Sequence, residues 1–274
     1  MRKLSVIAIL TMAACGGGDG DGAVDAPDVT DDGGFVDAPP GTIDAPMAVI
    51  DAPTGPDADP TTLPHFSFFV TSLRALQELS GNPQGFGGDL RFGETGPGAG
   101  IRGADKLCAT IAERSMPGAS AKQWRAFLSA SNDGNGNVVN AIQRIGTGPW
   151  YNAKGVMVEQ NVADLHSENN KLGKEGSLTE KGAVWNGRGD TPNMHDILTG
   201  SNMDGTLASG AGDVTCSNWT SNKGDGSALV GHHDKQGGGA NPNSWNSAHP
   251  SKGCSQANLV ATGGAGAFYC FAAK

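Results

Sequence analysis

The chain beyond about residue 65 predicts an α+β domain with one or two helices, short strands and long irregular loops. Three observations carry this. Glycine is very abundant, 43 of 274 residues, while only 17% of the chain is charged. Helical periodicity is confined to one clear stretch. Apolar runs of strand length are separated by wide tracts of Gly, Asn, Asp and Ser, which form turns and loops.

In chain order, the first expected strand is Phe66–Ser72, a run rich in aromatic residues. The clearest helix spans Gly103–Arg114, where Ala104, Leu107, Cys108 and Ile111 share a face at three- and four-residue steps. Further strands are expected at Trp124–Ser129, Val156–Val158, Gly182–Trp185, Leu259–Thr262 and Phe268–Ala272. Residues 186–215 and 222–253 hold few apolar side chains and read as loops. Loops of such length are usually functional or mobile.

The N-terminus is of another kind. Arg2 and Lys3 precede an apolar run from Leu4 to Met12, and the small residues Ala13 and Ala14 lead into Cys15. That order reads as a secretory signal, too short to span a bilayer as a mature helix. The segment resembles the lipobox of bacterial lipoproteins, although Met12 stands where that family usually has Leu. The resemblance implies that residues 1–14 are removed and that Cys15 is lipidated. Two or more acyl chains anchor a protein stably where one does not. Gly16 rather than Asp follows the cysteine, so the inner-membrane retention signal of enteric bacteria is absent. The expected location is the outer membrane or cell surface of a bacterium.

Residues 15–65 read as a disordered tether carrying the lipidated cysteine. The triplet Asp-Ala-Pro recurs from Asp25, Asp37, Asp44 and Asp51 at irregular spacing, so no stacked repeat is implied. Little there is apolar, and Pro removes backbone donors. Such a chain is a semi-extended, self-repelling spacer, and about fifty residues at up to ~3 Å each would reach ~100 Å. Between Gly16 and His65 there are 11 Asp and no Lys, Arg or Glu. Residues 66–274 carry 17 basic and 17 acidic groups, so the domain is neutral although the chain's net charge is -9. A neutral domain argues against nucleic acid or a polyanionic glycan as partner.

Apart from Cys15, four cysteines remain: Cys108, Cys216, Cys254 and Cys270. An even number suits an oxidising compartment, and composition allows three pairings. Each bridge would stabilise the domain by roughly 3–5 kcal/mol.

The order of several short motifs suggests a family. Gly103-Ala104-Asp105 with Cys108, followed by Trp124-Arg125-Ala126-Phe127-Leu128-Ser129, resembles the opening of endostatin-like domains. Val184-Trp185-Asn186-Gly187, Thr215-Cys216-Ser217-Asn218-Trp219 and Tyr269-Cys270-Phe271 resemble later segments of that family, in the same order. The resemblance covers roughly residues 103–271. It implies a C-type-lectin-like fold, a twisted antiparallel sheet with long loops, over residues 66–274. It also implies nested disulfides, Cys108–Cys270 outside Cys216–Cys254. Endostatin's N-terminal zinc histidines and its arginine-rich surface have no counterpart here. Fold alone does not define function.

Four groups invite a functional reading. Asn241-Pro242-Asn243 and Trp245-Asn246-Ser247 are similar to the EPN and WND elements through which C-type lectins bind calcium and sugar. Asn241 and Ser247 replace acidic residues, so calcium would be held weakly. Asn241, Asn243, Trp245 and Asn246 therefore define a candidate ligand loop, with Trp245 expected to pack beneath it. The metal candidates are His232, His233, Asp234 and His249, with His195 and Asp196 elsewhere in the loops. Adjacent histidines on a strand face opposite ways, so the expectation for these residues is a polar surface. Asp133, Asn135 and Asn137 alternate as in a calcium loop, but Val138 and Arg144 occupy the positions where an EF-hand needs Gly and Glu. Arg188-Gly189-Asp190 is a tripeptide short enough to arise by chance.

No GxSxG and no phosphate-cradling glycine run is present. The expectation is a protein that is not an enzyme and takes no cofactor. It would be a surface-anchored lipoprotein whose lectin-like domain binds a carbohydrate or protein ligand of the envelope or surroundings. A structural envelope protein is the alternative, followed by a metal-dependent hydrolase using the loop histidines.

Overall fold

A computed structural model describes residues 59–209 and 212–274. Cys15, the signal segment and nearly all of the acidic tether lie outside the described residues. In chain order the elements are β1 (Phe68–Val70), α1 (Leu73–Ser80), α2 (Ala99–Ser115), β2 (Trp124–Ala126), β3 (Trp150–Tyr151) and β4 (Met157–Glu159). They continue as α3 (Val162–Leu165), β5 (Asp196–Leu198), the turn α4 (Cys216–Trp219), β6 (Leu229–His232), β7 (His249–Pro250), α5 (Gln256–Thr262) and β8 (Gly264–Ala272). The domain is α+β.

The main sheet has the order β1-β8-β5-β6-β7, with β2 also paired to β8. β8 is central because its sequence, GAGAFYCFA, supplies apolar side chains to both faces, and every residue in it is buried. Alternation along it separates two cores. Phe268 and Cys270 join α2, Trp124 and Trp219 on one side. Tyr269 and Phe271 join Phe68, Phe127, Trp150, Trp185 and Trp245 on the other. β1 and β2 run antiparallel to β8, whereas β5 runs parallel to it, with Asp196 level with Gly264. The sheet is therefore mixed, not wholly antiparallel. β5 returns to β8 through the long 199–263 crossover, which reverses direction through β6, β7 and α5.

The expected helix is longer than its periodic core. Its N-terminal turns carry Gly100 and Gly103 because backbone lies directly against them. A Cβ on Gly103 would come 2.2 Å from the carbonyl oxygens of Leu90 and Arg91, and one on Gly100 2.1 Å from that of Asn218. The two disulfides are nested. Cys108–Cys270 joins α2 to β8, and Cys216–Cys254 closes the segment holding β6 and β7, each with Cα atoms 5.6 Å apart.

Two strand expectations fail. Leu259–Thr262 lies in α5, because the Ser255 side chain caps the amide of Asn258 and Gly263 follows the last turn. Gly182–Trp185 forms no strand; Val184 makes one isolated bridge with Leu178. The two glycine-rich tracts read as loops contain β5, β6 and β7. Residues before Phe66 also join the domain: Thr62 donates to the Ala153 carbonyl at 3.0 Å and Lys122 to that of Leu63 at 2.7 Å.

Two outcomes follow. Gly103→Ala is expected to destabilise the domain by about 3 kcal/mol in urea unfolding, because the new methyl meets rigid backbone. Glu113, near the end of α2, takes hydrogen bonds from Ser120 and Gly118, which lower its pKa from 4.5 to about 2. Stability from this carboxylate is present above its unfolded pKa and is lost as pH falls through the folded value. Glu113→Gln is therefore expected to flatten the stability profile between roughly pH 4.5 and 2, read from urea midpoints across that range.

Candidate functional site

The candidate ligand loop lies between β6 and β7. Its backbone is sewn onto β6: the His232 amide donates to the Ser244 carbonyl at 2.9 Å, and the Ala248 amide to that of Val230 at 2.6 Å. Gly231 permits this closeness, since a Cβ there would sit 1.9 Å from the Trp245 carbonyl oxygen. Trp245 is buried, with its ring centroid 4.7 Å from that of Phe127 and 5.3 Å from that of Tyr269. The Tyr269 hydroxyl donates to the Trp245 carbonyl at 3.0 Å.

The asparagines divide the work. Asn246 is buried and donates to the carbonyls of Asn202 at 3.0 Å and Met203 at 3.2 Å, while its oxygen accepts from Ser244. Asn241 donates to the Ser247 carbonyl at 2.8 Å. Both side chains thus hold the loop in shape. Asn243 is exposed. Between this loop and the segment after α3 lies a cleft of about 550 Å³, walled by His166, Asn170, Lys235, Asn241 and Asn243 among others. Lys235 bonds the Asn170 carbonyl at 2.9 Å, which joins the two walls. The His166 Nδ1 faces the Met203 carbonyl at 2.8 Å, leaving its buried Nε2 without a hydrogen-bond partner.

The histidines do not form a polar surface. His232 and His233 are fully buried. As the strand geometry required, they part: His233 Nε2 lies 3.0 Å from the Asn186 carbonyl oxygen, while His232 enters a cluster on the sheet face. Register builds that cluster. Asp196 on β5 lies opposite His232 on β6, and His249 on β7 lies opposite Val230, two residues along on the same face. His195, preceding β5, stacks on His232 with centroids 4.3 Å apart and planes 6° apart. The Asp196 Oδ1 is 3.2 Å from His195 Nε2, 3.4 Å from His232 Nε2 and 3.6 Å from His249 Nε2. Neither Asp196 oxygen has a hydrogen-bond partner.

Burial governs the electrostatics. It raises the pKa of Asp196, an effect opposed by His195 and His249, and lowers that of His232 to about 4. Burial also lowers His233 to about 4. His195 is moved upward, because Asp234 and Asp196 outweigh the burial that opposes its charge. Asp234 is likewise buried, yet His195 and the amides of Arg188 and Gln236 hold it below the usual carboxylate range. Asp234 thus positions His195 from outside the cluster, its Oδ1 3.6 Å from the His195 Nδ1.

The remaining motifs serve the backbone. Asp133 accepts from the amides of Asn135 at 2.7 Å and Asn137 at 3.2 Å, the bonds of a local turn. In the Arg188-Gly189-Asp190 tripeptide, Asp190 accepts from the Gly187 amide at 2.8 Å and from Lys174. No spacing announced the partnership of His195 and Asp196 with His232 and His249: Asp196 meets them through strand register, and His195, just before β5, by stacking on His232. Compared with known proteins, the chain matches no protein-family model and no curated protein sequence.

Asn246→Ala removes a buried side-chain amide that ties the loop to the carbonyls of Asn202 and Met203 and accepts from Ser244. The variant is expected to lose about 2 kcal/mol of stability and to exchange the amides of residues 241–247 faster, read by hydrogen–deuterium exchange.

Proposed function

We propose that this protein is an exported lipoprotein, anchored through Cys15, whose C-type-lectin-like domain binds an extracellular or envelope ligand without catalysing a reaction. The observation carrying this reading is the cleft of about 550 Å³ walled by the 235–246 loop, a size suited to a small ligand or the end of a larger one. Its polar wall includes the amides of Asn170, Asn241 and Asn243 beside Glu168 and Lys235, two groups of opposite charge, on a frame closed by a disulfide. Amides both donate and accept, which matches the hydroxyl groups of a neutral saccharide. The order of the endostatin-like segments and the nested cysteines supports the fold reading. Since the four domain cysteines pair with one another, Cys15 is left for the lipid anchor.

The test is a glycan array probed with the oxidised, purified full chain. Binding to uncharged glycans is expected, with Asn243→Ala weakening it about tenfold at unchanged melting temperature, a loss of roughly one hydrogen bond to a ligand. No binding to any glycan or envelope polymer would refute the cleft reading. In parallel, Cys15→Ser is expected to abolish incorporation of labelled palmitate.

A further inference from the structure

We propose that His195, Asp196, His232 and His249 hold one divalent transition-metal ion of the zinc class, in a centre separate from the ligand cleft. Asp196 is 97% buried, and both its oxygens lack hydrogen-bond partners. A carboxylate so placed is costly unless a cation meets it. Three imidazole nitrogens surround it, at 3.2, 3.4 and 3.6 Å from Oδ1. Tetrahedral zinc, with bonds near 2.0–2.1 Å, separates neighbouring donor atoms by about 3.3 Å. Donor atoms of His195, Asp196 and His232 all lie within 4.8 Å of one another, and His249, partly exposed, adds a fourth donor from the solvent side.

The outer partners agree. His195 Nδ1 is 2.9 Å from the Gln236 carbonyl oxygen, His232 Nδ1 2.7 Å from that of Pro242, and His249 Nδ1 3.2 Å from that of Pro250. A backbone carbonyl on Nδ1 selects the tautomer whose Nε2 lone pair is free to ligate. The Nε2 atoms of His232 and His249 face each other at 3.0 Å, an arrangement that a cation between them relieves. Glycines give the cluster its room. A Cβ on Gly237 would come 2.1 Å from the His232 ring, and one on Gly263 would lie 3.2 Å from His195 Nε2.

Nitrogen donors outnumbering one carboxylate favour zinc-class ions over calcium or magnesium. Four protein donors leave no open position for a hydrolytic water, so the ion is structural or stored. His232 and His249 stand at the two ends of the 233–248 loop, and the ion would tie those ends together.

The experiment titrates Zn²⁺ into the metal-stripped full chain, with affinity read by competition against a chromophoric chelator. One tightly held ion per chain is expected, with histidine nitrogen in its X-ray absorption spectrum and a melting temperature raised by several degrees. Asp196→Asn is expected to weaken Zn²⁺ at least ~100-fold, and His249→Ala about tenfold. His249 lies at the rim, so its variant keeps the native near-ultraviolet circular dichroism and remains informative if Asp196→Asn misfolds. A chain that retains no Zn²⁺ overturns the assignment. So does Zn²⁺ held with equal affinity by wild type and both variants, which would place the ion elsewhere on the chain. Neither result bears on glycan binding at the cleft.

Discussion

Burial of β8 on both faces is the constraint from which the rest of the domain follows. A strand with solvent on neither side must meet apolar partners above and below and must satisfy its backbone along both edges. β1 takes one edge, while β2 and β5 share the other. Phe268 and Cys270 draw α2 onto one face, and Tyr269 and Phe271 assemble the aromatic core on the other. The Cys108–Cys270 bridge then fastens helix to strand where the packing is already dense.

The polar half of the sheet grows outward from that spine. β5 is held against β8 by parallel pairing, and β6 and β7 add to it in turn. Although β5 is an interior strand and Asp196 and His232 are buried, Asp196, His232 and His249 occupy one face of three adjacent strands. Glycine makes the arrangement possible twice over. Gly231 lets the loop between β6 and β7 lie directly on β6, and Gly237 lets it pass over the His232 ring. The cleft and the histidine cluster therefore share one structural cause, a loop pressed onto a glycine-bearing strand. They gather different chemistry: amides beside Glu168 and Lys235 in the cleft, and imidazoles around one buried carboxylate within.

Much of the frame was legible in the residues. The periodic apolar face from Ala104 to Ile111 marked α2, and the Trp124 and Phe268 runs marked β2 and the end of β8. Leu259–Thr262 misled because a four-residue run with two β-branched residues, Val260 and Thr262, fits strand and helix alike. The deciding signals were Ser255 and Gly263, a cap and a stop at either end. Trp245 was expected beneath the loop and lies there. β5, β6 and β7 were hidden in tracts of loop composition, for strands of two to four residues carry too little pattern to show a period.

Composition alone determined the contrast between an acidic Asp-Ala-Pro segment and a neutral domain, and the even set of four cysteines besides Cys15. Such features are sums over residues and need no coordinates. Which histidines meet was decided only by the tertiary structure. His232 and His233 are adjacent in sequence yet face apart, while His232 and His249 are distant from Asp196 and converge on it. The physical reason is register. A strand's side chains alternate faces, so a one-residue slip would exchange every inward group for its neighbour, and register is set by packing against β8 rather than by local sequence.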